Sequence, residues 1–237
     1  MQLPFFYQKN IDISNQQLVL NEETSKHCVQ VLRMKVGEQL KITNGLGKLY
    51  VAEIIVANKK NSIVKILDSK TLKPNNRKVC VAIGLLKNAS RFEWFLEKAT
   101  EIGIQEIIPI ISQRTERQHF RFDRMNAILI AAMLQSQQTF LPVLQQPTLL
   151  NEVINNSNAV TKLIAHCEEE EIKITIKEIN LTNDIQILIG PEGDFTPNEI
   201  EMALQNNYQP VTLGNTRLRT ETAGIVAATL LVNQLIS

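Results

Sequence analysis

The 237-residue sequence is informative first for what it lacks. No apolar run approaches the roughly 18 to 20 residues needed to cross a bilayer, which excludes a helical membrane span. The start, Met1-Gln2-Leu3-Pro4-Phe5-Phe6-Tyr7, has neither the charged beginning nor the long apolar stretch of an export leader, so a cytoplasmic location is expected. Three cysteines (Cys28, Cys80, Cys167) have no paired spacing and lie beside apolar residues; they read as small buried hydrophobes, not as a disulfide scaffold. The histidines (His27, His119, His166) are equally scattered. His166-Cys167-Glu168 is a lone cluster of sequence neighbours, so no metal is expected. There is no internal repeat and no low-complexity tail.

What is present is ordinary for a globular protein, 44% hydrophobic and 21% charged. The net charge of +1 conceals an asymmetry. Residues 1–124 carry 20 Lys/Arg against 12 Asp/Glu, and residues 125–237 carry 5 against 12. A basic first half suits a polyanion partner, because clustered cations gain from displacing counterions on phosphate.

Residues 1–72 read as a small β-rich unit. An amphipathic helix after Asn21-Glu22-Glu23 sets Cys28, Val31 and Leu32 on one face. Gln39–Thr43 alternates as a strand, Asn44-Gly45-Leu46-Gly47 marks a turn, and strands follow near 48–57 and 61–67. This spacing suggests a compact barrel-like module, joined to the rest by the polar segment 72–77. From Val79 strands and helices alternate, as in an α/β domain with a mostly parallel sheet. Val79–Leu86 is an apolar strand. Ser90 is expected to cap a helix with Phe92, Phe95, Leu96, Ala99 and Ile102 inward, ended by Gly103. Further strands are expected at 104–111, 160–165 and 185–189, and helices at 121–138 and from about 148. Thr196-Pro197-Asn198-Glu199 is a capping box. The last helix, from Thr220 to about Leu235, has hardly any polar face, which points to burial on all sides and favours a homodimer over burial beneath the other domain.

Two C-terminal stretches share one layout, an apolar run, a glycine-containing loop and a helix start. They are Leu188-Ile189-Gly190-Pro191-Glu192-Gly193 and Leu213-Gly214-Asn215-Thr216-Arg217-Leu218-Arg219-Thr220-Glu221-Thr222-Ala223. If the runs are neighbouring parallel strands, both loops emerge on the sheet edge where α/β folds place ligands. Neither loop has the Gly-rich Lys-Ser/Thr or Gly-x-Gly-x-x-Gly pattern of a phosphate cradle. A fixed turn with close backbone approach and a carboxylate suits base, ribose and a positive centre, as in S-adenosylmethionine.

The same residues resemble the signature of the SPOUT-class methyltransferases that modify uridine N3 in 16S ribosomal RNA. The likeness extends to His27 with Val31-Leu32-Arg33-Met34 and Gly37, to Leu86-Lys87, Arg91-Phe92-Glu93 and Glu97–Gly103, and to Gln135-Ser136 and Leu141-Pro142. The resemblance implies an α/β methyltransferase domain (73–237) with a deep C-terminal trefoil knot, preceded by a PUA-like RNA-binding β-barrel (1–72). It implies S-adenosyl-L-methionine as cofactor, 16S rRNA of the small ribosomal subunit as partner, and an active site at a homodimer interface. Backbone groups at Ile189, Gly190, Pro191, Leu213, Gly214 and Leu218 are then the candidate cofactor pocket.

Uracil N3 must lose its proton to become a good nucleophile. Arg219 is the candidate to stabilise the neighbouring oxyanion, while Glu192 or Glu221 accepts the proton or anchors that arginine. Arg33, Lys87, Arg91, Arg117 and Arg121 are candidate RNA contacts. Arg114, Arg117, Arg121 and Arg124 interleave with Phe120 and Phe122 in a pattern suited to phosphate contact and base stacking. Two positions depart from the resemblance: Asp194 stands where a second glycine is usual, and Gln137-Gln138-Thr139 where a basic residue is usual. Two other readings compete, a SPOUT ribose 2′-O-methyltransferase and a non-catalytic RNA-binding ribosome-assembly protein.

Overall fold

The computed structural model describes residues 3–116, 119–168, 172–179, 181 and 183–233. The chain forms two compact units, one of residues 1–74 with 133–141, the other of 75–132 with 142–237.

In the first unit the strands are β1 (Phe5–Tyr7), β2 (Gln17–Val19), β3 (Gln39–Thr43), β4 (Lys48–Val56) and β5 (Ile63–Thr71), ordered β1-β3-β4-β5-β2. Among the described residues of this unit only β1 and β3 pair in parallel. Register shifts within the β4–β5 pair bend the sheet around its core. Alternation in β3 and β4 turns Leu40, Ile42, Ala52 and Ile54 inward, where they meet Leu18, Leu20, Cys28 and Val64. Burial pushes the Cys28 thiol up to about 11, which leaves it an inert core residue.

Helix α1 (Glu22–Lys26), capped by the Asn21 side chain, gives way to a π-helical turn at His27–Val31. That wider turn explains one departure from expectation. An α-helix would carry Val31 and Leu32 on the Cys28 face, but here they are 66% and 44% exposed while Cys28 is fully buried. Nor does the expected division at residue 72 include the second segment, 133–141. Thr139 is buried, and its carbonyl accepts from Gly47 N at 3.0 Å and Thr43 Oγ1 at 3.3 Å, while Leu141 N donates to Gly45 O at 2.9 Å. A segment so distant in sequence leaves no local pattern of this attachment. It also gives the Gln137-Gln138-Thr139 departure a structural setting.

The second unit contains β6 (Val79–Gly84), α2 (Ala89–Ile102), β7 (Glu106–Ile111), α3 (Phe122–Gln135), β8 (Val143–Leu144), β9 (Thr148–Leu149), α4 (Leu150–Asn155), β10 (Thr161–Ala165), β11 (Ile174–Thr175), β12 (Ile185–Ile189), α5 (Pro197–Gln205), β13 (Gln209–Thr212) and α6 (Thr220–Asn233). All its strand pairs are parallel, in the order β11-β13-β10-β12-β6-β7-β8, with β9 also on β7. Every residue of β6 and β12 is buried, the signature of central strands covered on both faces. On one face α6 packs against β6, β12 and α2. On the other, Ala82 and Leu188 join Leu150, Ile154, Phe195, Ile200 and Ala203.

Gly103 ends α2 in the left-handed conformation (φ 97°), as its position at the close of the apolar periodicity requires. The cap at the other end is Asn88, whose side chain accepts from Ser90 N at 2.9 Å; Ser90 lies within the first turn and does not cap it. Both residue types suit the position, and the backbone turn selects between them. Of the cysteines, Cys80 is buried as expected and Cys167 is not.

Close packing makes Gly224 of α6 sensitive. A β-carbon there would lie 2.6 Å from Phe95 Cε2 and 2.8 Å from Ile83 Cδ1. Gly224→Ala is therefore expected to destabilise the protein by about 1–3 kcal/mol, read as a lower denaturant midpoint with an unchanged slope.

Candidate active site

Strands β6, β7, β10, β12 and β13 run the same way, so the segments that follow them emerge on the carboxyl edge of one sheet. The two glycine-containing loops both lie there, but their strands are not neighbours. β10 lies between β12 and β13 and pairs with each, Leu163 facing Ile187 on one side and Gln209 on the other. Similar apolar runs qualify both strands for the buried sheet and carry no information on which strand separates them.

The loop after β12 starts from buried Ile189, Gly190 and Pro191. A β-carbon on Gly84 would lie 2.5 Å from Pro191 N, so the end of β6 meets this loop backbone to backbone. Asp194 N donates to Pro191 O at 2.9 Å and closes the turn. Asp194 itself sits at φ 60°, which explains why glycine suits this position and why aspartate can replace it. The substitution adds contacts: Asp194 Oδ2 accepts from Cys167 N at 2.7 Å and Oδ1 from Phe195 N at 2.8 Å. Burial and the nearby Asp194 carboxylate push the Cys167 thiol up. The chain then enters α5 through the expected Thr196–Glu199 capping box.

The loop after β13 is more open. Gly214 adopts φ 140°, and a β-carbon there would meet nothing within 4 Å. Leu213 and Leu218 are half-buried. Among the described residues, no backbone N–H from Asn215 to Arg219 donates to a protein acceptor. Solvent-facing amides that are not committed to protein acceptors, beside open space, suit a ligand rich in acceptors, such as adenine and ribose. The residues present therefore fit an adenosyl group.

The candidate catalytic side chains are placed differently from one another. Arg219 is exposed and forms no ion pair among the described residues; its carbonyl accepts from Ala223 N at 2.8 Å as α6 begins. Glu221 does not anchor it. Glu221 is only 7% exposed, its Oε1 lies 3.7 Å from Arg91 Nε, and its Oε2 has no hydrogen-bond partner among the described residues. Residues two apart at a helix start face different directions, and the α2–α6 packing brings Arg91 to the buried carboxylate. Glu192 is exposed, and its Oε1 accepts from Lys87 N at 3.1 Å.

Among the candidate RNA contacts, Arg33 is exposed in the first unit at φ 55°, and Arg121 is exposed. Lys87 forms a surface pair with Glu116 at 2.7 Å, and Arg91 is engaged by Glu221. Arg117 lies outside the described residues. Arg124 is held by Glu93 in a forked contact of 2.6 and 2.8 Å. Phe120 packs edge-on against Phe92 (5.9 Å) and near Phe122 (6.3 Å), so its ring is part of an aromatic cluster. Sequence reading missed Gly84 and the part Asp194 plays in bridging two loops; a glycine closing a buried apolar strand was the available signal for the first.

Residues 73–232 match the family described as RNA methyltransferase domain, and residues 20–67 the RNA methyltransferase PUA domain. The chain belongs to the RNA methyltransferase family, with a SPOUT-type α/β fold. A curated ribosomal RNA small subunit methyltransferase E from Buchnera aphidicola is 30% identical, covering 95% of this chain and 91% of that protein. The crystal structure of a probable rRNA-methyltransferase from Porphyromonas gingivalis superposes with TM-score 0.89 at 35% identity, over 98% of both chains. A ribosomal RNA small subunit methyltransferase E from Neisseria gonorrhoeae bound to S-adenosyl methionine does so at 0.88 and 27% identity, again over 98% of each. Within the wider family, this chain belongs to the ribosomal RNA small subunit methyltransferase E group.

The forked Arg124 contact holds the Glu93 carboxyl below its usual range. Its contribution is present above the ordinary glutamate pKa and is lost as pH falls through the depressed one. Arg124→Ala is expected to move the Glu93 midpoint upward, measured by carboxyl NMR titration; an unmoved midpoint would contradict the assignment.

Proposed function

We propose that this protein transfers the methyl group of S-adenosylmethionine to N3 of a uridine in 16S rRNA of the small ribosomal subunit. The observation that carries the reading is the pairing of the Gly190–Asp194 turn with the open, amide-rich Gly214–Arg219 loop on one sheet edge. The family and the S-adenosyl methionine bound by the Neisseria relative support the cofactor.

Backbone groups of Ile189, Gly190, Pro191, Leu213, Gly214 and Leu218 hold the adenosyl part in this reading. The bound cofactor supplies an electrophilic methyl, and the protein supplies orientation and charge. Arg219, exposed and without an ion-pair partner among the described residues, stabilises negative charge on a uracil carbonyl as the N3 proton leaves. Glu192, exposed on the loop after β12, accepts that proton. Glu221 instead holds Arg91 at the start of α2, so its contribution is to placement. The first unit, with its PUA match and Arg33, contributes RNA binding together with Lys87, Arg117 and Arg121.

The reading includes a homodimer, supported by the half-buried apolar side chains Ile225, Val226 and Leu230 on α6. It also includes the knot that the SPOUT fold implies and a cytoplasmic location beside the ribosomal substrate.

Incubation with small-subunit RNA or particles and S-adenosylmethionine is expected to yield N3-methyluridine by nucleoside mass spectrometry. Methyl on ribose would overturn the site of transfer, and no cofactor binding at millimolar ligand would leave an assembly protein instead. Arg219→Ala is expected to lower kcat by roughly 10²–10³ with a smaller change in cofactor Kd; normal turnover would remove Arg219 from the chemistry.

A further inference from the structure

The Gly190–Phe195 loop is tied down by groups from three other strand ends. Arg114, in the segment after β7, donates from Nη1 to Gly193 O at 2.7 Å and to Phe195 O at 3.3 Å. Its aliphatic stem lies along Gly193, where a β-carbon would sit 3.3 Å from Arg114 Cβ and Cδ. Asp194 is fastened to Cys167 N after β10 and to Phe195 N. Its Oδ1 would be 2.8 Å from a β-carbon on Gly190, so the carboxylate lies directly against the glycine at the base of the turn. Lys87 N, after β6, holds Glu192.

These contacts change what Arg114 is for. A surface arginine in a basic, aromatic-flanked segment reads as a phosphate contact. Here its guanidinium donates to the two loop carbonyls on either side of the left-handed Asp194. The planar, fixed donor set of arginine suits that task. A loop with several independent tethers loses less conformational freedom when a ligand binds, and that saving appears as affinity.

We propose that Arg114 is a positioning residue for the cofactor loop, acting with Asp194 to hold Gly190–Phe195 in the shape that receives S-adenosylmethionine, and that it is not an RNA contact. The proposal rests on the reading of this loop as the cofactor site. Arg114 touches the loop backbone and acts on the cofactor only through it.

The test uses the full-length protein and two affinities: S-adenosylmethionine by calorimetry, and a small-subunit rRNA fragment by filter binding. Arg114→Ala is expected to weaken cofactor binding about tenfold, the scale of hydrogen bonds lost from a charged donor, with RNA affinity within about twofold of the parent. Arg114→Lys is expected to recover part of the loss. Asp194→Gly, which keeps the left-handed turn and removes the carboxylate, is expected to weaken cofactor binding several-fold. In the cofactor-free protein both Arg114→Ala and Asp194→Gly are expected to speed amide hydrogen exchange at Phe195, a readout independent of turnover. Unchanged cofactor affinity in Arg114→Ala would overturn the proposal whatever the exchange rate at Phe195, as would a loss of RNA affinity alone. If the parent failed to bind S-adenosylmethionine, the cofactor reading and this proposal would fall together. If the parent bound and Arg114→Ala bound equally well, only this proposal would fall.

Discussion

The arrangement depends on β6 and β12 being buried on both faces and paired in parallel. Two strands without an exposed residue must lie at the centre of the sheet, with helices above and below. Once they are central and parallel, their following loops share one edge, and the absence of a side chain on Gly84 lets the two backbones meet at Pro191. A bulkier residue at that contact would push the 190–195 turn away from the sheet. The turn's position is therefore a consequence of core packing as much as of its own sequence.

Electrostatics at this edge are local and mostly satisfied. Asp194 accepts from backbone amides, Arg114 donates to backbone carbonyls and Arg124 donates to Glu93, while Glu221 is only ion-paired with Arg91 at 3.7 Å and keeps one oxygen without a hydrogen-bond partner among the described residues. The attachment of Asp194 and Arg114 to backbone groups gives rigidity without long-range fields, which suits a loop that must hold a shape. Arg219 differs, being exposed with no ion pair among the described residues. In the proposed function this exposed cation, directly before α6, answers the charge that develops on the substrate.

How far the sequence could be read varies with the range of the interaction. The Thr196–Glu199 capping box, the Gly103 helix stop and the inward face of Phe92, Phe95, Leu96 and Ala99 were legible because each rests on residues within a turn or two. The cap at Asn88, the π-helical turn at His27–Val31 and the exposure of Cys167 were not. In each, two local patterns were acceptable and packing selected one. The attachment of 133–141 to the first unit and the insertion of β10 between β12 and β13 lay further out of reach, because nothing local encodes which distant segments pair.

The sequence by itself determined an α/β domain behind a smaller β-rich unit, and it marked both glycine-containing loops, because strand, helix and turn preferences are short-range. It also marked Asp194 as the unusual residue of the first loop. Only the tertiary structure decided that Glu221 belongs with Arg91, that Arg114 braces the 190–195 turn, and that Asp194 joins that turn to Cys167. Those partners lie 27 to 130 positions apart in the chain, and the parallel sheet brings them to one edge.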